Sequence, residues 1–206
     1  MNNKAHWETV YTTKSIDAVS WFQEHADVSL RLIRGTGVAL DASIVDVGGG
    51  ASTLVDDLLA DGCTDVTVLD LSGTALAAAQ HRLGRRASLV RWVEADITKG
   101  SLPPGAFDVW HDRAVFHFLH APEDRAAYVR AVLDSVKPGG HVVVATFAED
   151  GPTQCSGLPV VRYSASGLHA EFGERFSMVS HAKEAHRTPF GTVQQFLYCY
   201  CRKLER

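Results

Sequence analysis

The stretch at residues 44–59, IVDVGGGASTLVDDLL, decides how the rest of the chain reads. A β-branched apolar run takes in an aspartate, three glycines follow in succession, and an apolar pattern of helical period then begins. Glycines at the mouth of a strand admit positive φ and let a ligand reach the backbone without meeting a Cβ. In open α/β sheets that is where ligands bind. Asp70 closes the next apolar run, DVTVLDLS, about twenty residues on, where a carboxylate can accept both hydroxyls of a ribose. A nucleoside-containing cofactor is the reading these residues invite.

Outward from that stretch, short strand-like runs alternate with helical ones. STLVDDLLADG and TALAAAQHRLG read as helices ended by glycine, and LVRWVEADI and FDVWHDRAV as a third and a fourth strand. APEDRAAYVRAVLDSVKPGG has proline near its start, acidic residues in its first turn and Pro-Gly-Gly after its end, the signature of a helix. HVVVATF is a continuously apolar fifth strand. Such alternation predicts a doubly wound, mostly parallel sheet covered on both faces. ERFSMVSHAKEA and TVQQFLYCYCRK, with a Thr-Pro-Phe-Gly turn between them, predict a C-terminal antiparallel hairpin.

Two cofactor families compete for the glycines. The dinucleotide fingerprint G-x-G-x-x-G, started at Gly48, finds Thr53 at its third glycine. Asp46, two places before Gly48, would oppose a pyrophosphate but suits a cofactor bearing an ammonium group. With these motifs the chain from residue 44 onward resembles the class I S-adenosylmethionine-dependent methyltransferases. VDVGGGAS is similar to their glycine loop (Gly48, Gly49, Gly50), although Ser52 stands where a further glycine is common. The resemblance implies that Asp70 holds the ribose, Leu71 lies beside the adenine, Asp96 of EADI faces the adenine amino group, and Ile97 packs nearby. It implies a seven-stranded, Rossmann-like sheet with one antiparallel strand inserted at its edge. Its cofactor would be S-adenosyl-L-methionine, with S-adenosyl-L-homocysteine as product.

The segment FDVWHDRAVFHFLHAPEDRAAYV, 107–129, crosses the end of the fourth strand, where such enzymes place the transferred methyl. Its Asp112-Arg113-Ala114 resembles the thiopurine methyltransferase group, which acts on soft sulfur nucleophiles, and also a group of protein-lysine methyltransferases. His111, Asp112, Arg113 and His117 are therefore the catalytic candidates, with His111 also counted toward the cofactor. His117 is a general base in the physiological range if exposed to the acceptor, and a packed helix residue otherwise. Asp112 and Arg113 suit a structural ion pair under the cofactor; alternatively Arg113 holds an anionic acceptor. Tyr11, Trp21 and Phe22, with Trp7, either wall the acceptor site or pack an N-terminal helix onto the core. Cys155, in TQCSGLP, lies in a loop expected above the site.

A net charge of −4 leaves no global field for nucleic acid or anionic lipid. Arg82, Arg85, Arg86 and Arg91 read as helix-terminal cations rather than an RNA site. Four cysteines show no metal spacing, and no run is long enough to cross a membrane or resembles a signal peptide, so a cytoplasmic protein without a metal is expected. The expectation is one domain, 1–206, with residues 1–40 as a helical cap over the site and 41–206 as the catalytic α/β core. Its function would be methyl transfer to a small-molecule acceptor, a thiol or other soft nucleophile. Protein-lysine N-methylation is the alternative, and a nucleotide-binding module without catalysis or an NAD-dependent dehydrogenase are readings of another class.

Overall fold

The computed structural model describes residues 4–100 and 102–205. Helix α1 (Lys4–Thr13) is followed by a short 3-10 turn and by α2 (Asp27–Gly35). Then come β1 (Ser43–Val47), α3 (Leu54–Ala60), β2 (Asp65–Asp70), α4 (Gly73–Leu83), β3 (Val90–Glu94) and β4 (Phe107–Arg113). Helix α5 (Pro122–Ser135) leads into β5 (Val136–Phe147). A two-stranded ribbon, β6 (Gln154–Cys155) with β7 (Leu158–Pro159), precedes α6 (Ala165–Phe172), β8 (Phe176–Arg187) and β9 (Val193–Lys203).

Seven strands form one sheet in the order β3-β2-β1-β4-β5-β9-β8. The pairs β1–β2, β2–β3, β1–β4 and β4–β5 are parallel, and β9 runs antiparallel to both β5 and β8. This is the expected doubly wound sheet with its C-terminal hairpin. One detail differs: the antiparallel strand is second from the edge. The last strand inserts between β5 and β8 because its apolar residues on both faces, from Phe196 to Cys201, demand cover. β8, mostly solvent-facing, takes the edge.

Strand alternation divides the core. Val45, Val47, Trp110, Val142 and Val144 face α5 and α6, whereas Ile44, Val66, Val68 and Val109 face α2, α3 and α4. Trp110, fully buried on the central strand β4, donates its indole N–H to the Tyr128 hydroxyl at 2.9 Å, so its polar edge is not orphaned. The sequence of face assignments along β4 matters for the site. His111 and Arg113 point toward the α2 face, and Asp112 points toward α5.

The first forty residues divide as well. Leu30 and Ile33 of α2 sit in the sheet-facing core beside α3, so α2 is a core helix. Only α1 and the segment through Trp21 cover the carboxyl ends of the strands. No helix among the described residues is long and apolar enough to cross a membrane.

Candidate active site

Strand order reverses between β1 and β4, and the chain is open at their carboxyl ends. There the structure holds a cavity of about 510 Å³. Gly48, Asp70, Leu71, Asp96 and Ile97 line one end, at the termini of β1, β2 and β3. Trp21, Arg113, Ala114, Phe118 and Cys155 line the other, at the terminus of β4. Trp7 and Tyr11 of α1 bridge the two ends.

The glycine loop is shaped by its neighbours. Gly48 and Gly50 have φ of +70° and +40°. A Cβ on Gly48 would lie 1.9 Å from Val115 Cγ2, one on Gly49 would lie 2.5 Å from Asp46 Oδ2, and one on Gly50 would lie 2.7 Å from Asp70 Oδ2. Arg82 of α4 closes the loop from outside, donating to the carbonyls of Ala51 and Ser52 and to Asp56. Gly48→Ala is therefore expected to cost about 2–4 kcal/mol, the sum of left-handed strain and overpacking. Denaturant unfolding reads it; a loss below about 1 kcal/mol would mean the Val115 turn yields freely.

Asp70 is buried and accepts the amide of Ser72 at 2.8 Å. Burial, together with the charges of Asp46 and Glu8, pushes its carboxyl up to about 7. Asp96 caps the turn after β3, accepting from Thr98. Burial opposes its ionisation, but the bonds from Thr98 and Lys99 hold it below the usual carboxylate range. Glu8 of α1 accepts the amides of Gly73 and Thr74 at the start of α4, and Lys4 pairs with Glu94. These contacts fasten α1 across the Asp70 end. At the other end Trp7 meets Trp21 and Phe118 edge-on, with ring centroids 5.7 and 5.2 Å apart.

Several sequence candidates lie elsewhere. His111 is buried beneath the glycine loop: Nδ1 donates to Asp46 Oδ1 at 2.7 Å, and Nε2 accepts from Ser29 Oγ at 2.8 Å. The Ser-His-Asp order has the geometry of a nucleophile relay, but Ser29 is fully buried and no acyl group could reach it. Asp46 Oδ2 is buried and has no partner. Asp46, Gly49 and Gly50 thus back the loop, and Phe22 does not reach the cavity wall.

The expected ion pair between Asp112 and Arg113 does not form, because adjacent strand residues face opposite ways. Asp112 accepts the amides of Val115 and Phe116 and the Tyr128 hydroxyl, fixing the turn after β4, and burial pushes its carboxyl up to about 6. Arg113 instead reaches Glu184, Tyr198 and the Trp21 carbonyl. His117 is packed between Phe118 and Phe147 and accepts the Phe147 amide. Burial, helped by the charges of Arg113 and His120, pushes it down to about 3, so it cannot serve as a base near neutrality. Cys155 is buried on the ribbon, where desolvation pushes its thiol up to about 12. Cys199 and Cys201 share a buried face of β9 as free thiols. Glu8, Ser29, Phe118 and Glu184 carry no motif, and only the packing reveals them.

Comparison with known proteins bears on the strand-end part of this cavity. Residues 45–144 match the family model of a methyltransferase domain. An uncharacterized methyltransferase of Mycobacterium tuberculosis is 35% identical over 104 residues, 50% of each chain. A ubiquinone biosynthesis O-methyltransferase of Albidiferax ferrireducens is 35% identical over 105 residues, 50% of this chain and 40% of the other. The chain thus aligns with half or less of the length of these relatives. Among solved structures, one from work on the conversion of a disulfide bond into a thioacetal group during echinomycin biosynthesis has a TM-score of 0.78 at 19% identity, covering 98% of this chain and 93% of that one. An N-methyltransferase of Bradyrhizobium japonicum, solved with S-adenosyl-L-homocysteine, has a TM-score of 0.74 at 19% identity and covers 98% of both chains. The match to a methyltransferase domain covers just under half of the chain, and the likeness to the solved structures is one of fold. The family match contains Gly48, Asp70, Asp96 and Arg113, but it omits α1, the ribbon and the β8–β9 hairpin.

Proposed function

We propose that the chain transfers the methyl group of S-adenosylmethionine to a small apolar acceptor, a thiol or comparable soft nucleophile. The observation that carries this reading is the continuity of the cavity, from the Gly48–Asp70–Asp96 end to the aromatic wall at Trp21 and Phe118. The charge of the first end fits this cofactor. The carboxyl groups of Asp46 and Asp70 lie against the loop, which opposes a pyrophosphate and weighs against the dinucleotide reading. Asp46, buried behind the loop beneath Gly49, contributes negative charge there that favours an ammonium group over a phosphate on the cavity side. In this proposal Asp70 accepts from the ribose, Leu71 and Ile97 enclose the adenine, and Asp96 accepts from its amino group.

When bound, the cofactor supplies a methyl group made electrophilic by a sulfonium. The chain's part is positioning, which can lower such a barrier by about 7–11 kcal/mol. Trp7, Tyr11 and Trp21 exclude water above the two reactants. His120 lines the cavity after the β4 turn, but its Nε2–H is committed to the Pro159 carbonyl at 2.8 Å. Burial raises the Tyr11 hydroxyl and the Cys155 thiol above their ordinary ranges, and His117 is outside the cavity. An acceptor that ionises by itself is therefore favoured: a thiol near pKa ~8.5 over a lysine near ~10.4. A phenolic hydroxyl is the second reading, motivated by the O-methyltransferases among the relatives. Lysine methylation of a protein is disfavoured because Trp7 and Tyr11 of α1 narrow the approach to the cavity.

Calorimetric titration with S-adenosylhomocysteine, followed by a screen of thiols and phenols, tests the proposal. For two thiols of different acidity, log kcat/KM is expected to rise with pH up to each thiol's own pKa and then level off. A break at the same pH for both would reveal an enzyme base and overturn the base-free reading.

A further inference from the structure

We propose that Glu184 sets the charge of the acceptor end and so selects an uncharged acceptor over an anionic one. The word acceptor rests on the methyl-transfer reading; the charge argument does not.

Arg113 projects from the end of β4 into the cavity wall, and its side chain is only 10% exposed. A guanidinium there, left to itself, would be an anion receptor facing an apolar, aromatic chamber. Every nitrogen of it is instead engaged within the protein. Nε donates to the Tyr198 hydroxyl at 2.9 Å, Nη1 to the Trp21 carbonyl at 3.2 Å, and Nη2 to Glu184 Oε2 at 3.4 Å. The guanidinium carbon lies 4.0 Å from the centroid of the Phe196 ring.

Glu184 is the centre of this arrangement. Its Oε2 also accepts from the Tyr198 hydroxyl at 2.9 Å, and its Oε1 accepts from Gln23 Nε2 at 2.6 Å. The sheet makes the reach possible. Arg113, Ala145, Tyr198 and Ala182 lie in one row across β4, β5, β9 and β8, and the two alanines leave the space above them to the long side chains. Glu184 lies two residues beyond Ala182 on the edge strand, paired with Phe196.

Beside Arg113 the wall is made of Trp21, Ala114, Phe118 and Cys155, whose thiol burial keeps protonated, while His120 and Asp124 line the cavity further along the segment after β4. An incoming carboxylate would meet a compensated cation, three of whose five N–H donors are already engaged, with a carboxylate close behind it. It would lose its hydration for a partner whose charge is already matched. A neutral aromatic acceptor pays no such penalty.

The test needs no turnover. Thioanisole and 4-(methylthio)benzoate are methyl thioethers that differ by one carboxylate, and quenching of tryptophan fluorescence reports their binding with and without S-adenosylhomocysteine. The wild-type protein is expected to bind thioanisole at least about tenfold more tightly. Glu184→Gln keeps the side chain's shape but uncompensates Arg113, and the ratio should shift at least about tenfold toward the benzoate. Retained S-adenosylhomocysteine affinity certifies the fold of the variant. An unchanged ratio in a variant that binds that ligand would overturn the proposal. So would a wild-type preference for the benzoate, which stands as a test even if the variant fails to fold. A chain that separates the two ligands as expected but methylates nothing would sink the functional reading and leave the role of Glu184 intact.

Discussion

An Asp70→Asn variant is expected to bind S-adenosylmethionine and S-adenosylhomocysteine about a hundredfold more weakly, and yet to be more stable than the wild-type protein at pH 8. The loss in affinity follows from two hydrogen bonds to a charged acceptor at about 1.5–3 kcal/mol each. The gain in stability follows from burial. Folding raises the Asp70 carboxyl from 3.8 to about 7, so between these pH values the folded chain holds a proton that the unfolded chain has released. Stability therefore falls as pH rises from about 4 to about 7 and is level above, a loss on the order of a few kcal/mol. Asparagine keeps the acceptor for the Ser72 amide and has no charge to desolvate. The difference between the two proteins should vanish near pH 4 and be greatest above pH 7. Calorimetry and urea unfolding at pH 5 and pH 8 read both effects. Unchanged affinity would remove Asp70 from the ribose site, and an absent pH dependence would remove the burial cost.

The second large effect is structural. His111→Leu strips Asp46 of its partner beneath the glycine loop, leaving both carboxyl oxygens unsatisfied among β1, β4 and α2. Breaking a buried pair from one side costs about 3–5 kcal/mol. That is a large share of the stability of an ordinary domain. Ser29→Ala, which orphans only Nε2, should cost about 1–3 kcal/mol. Urea midpoints order the three proteins: wild type, then Ser29→Ala, then His111→Leu. Reversal of the two variants would mean that the serine, not the carboxylate, holds the imidazole in place.

These expectations show where sequence reasoning carries and where it stops. Asp46, the three glycines, Asp70 and Asp96 were legible because they sit at strand ends, and strand ends are marked locally by the change from apolar period to turn residues. The opposed directions of Asp112 and Arg113 were legible too, since alternation along a strand forbids neighbours from sharing a face. Reading them as an ion pair overlooked that rule. The fates of His111 and His117 were not legible. A histidine in an apolar stretch carries the same local pattern whether it lies under a loop, between phenylalanines or in a cavity.

By itself the sequence determined the alternating strands and helices, the hairpin at the end, and the strand ends at which Gly48, Asp70 and Asp96 line the cavity. All of these depend on contacts or conformations set within a few residues of one another. Tertiary structure alone decided that β9 inserts inside β8, which brings Tyr198 and Glu184 across the sheet to Arg113. It also decided that α1 lies over the strand ends while α2 joins the core. Those choices depend on pairing between distant segments, such as those of Gln23 and Glu184, 161 residues apart, and no local pattern encodes which distant surface buries which.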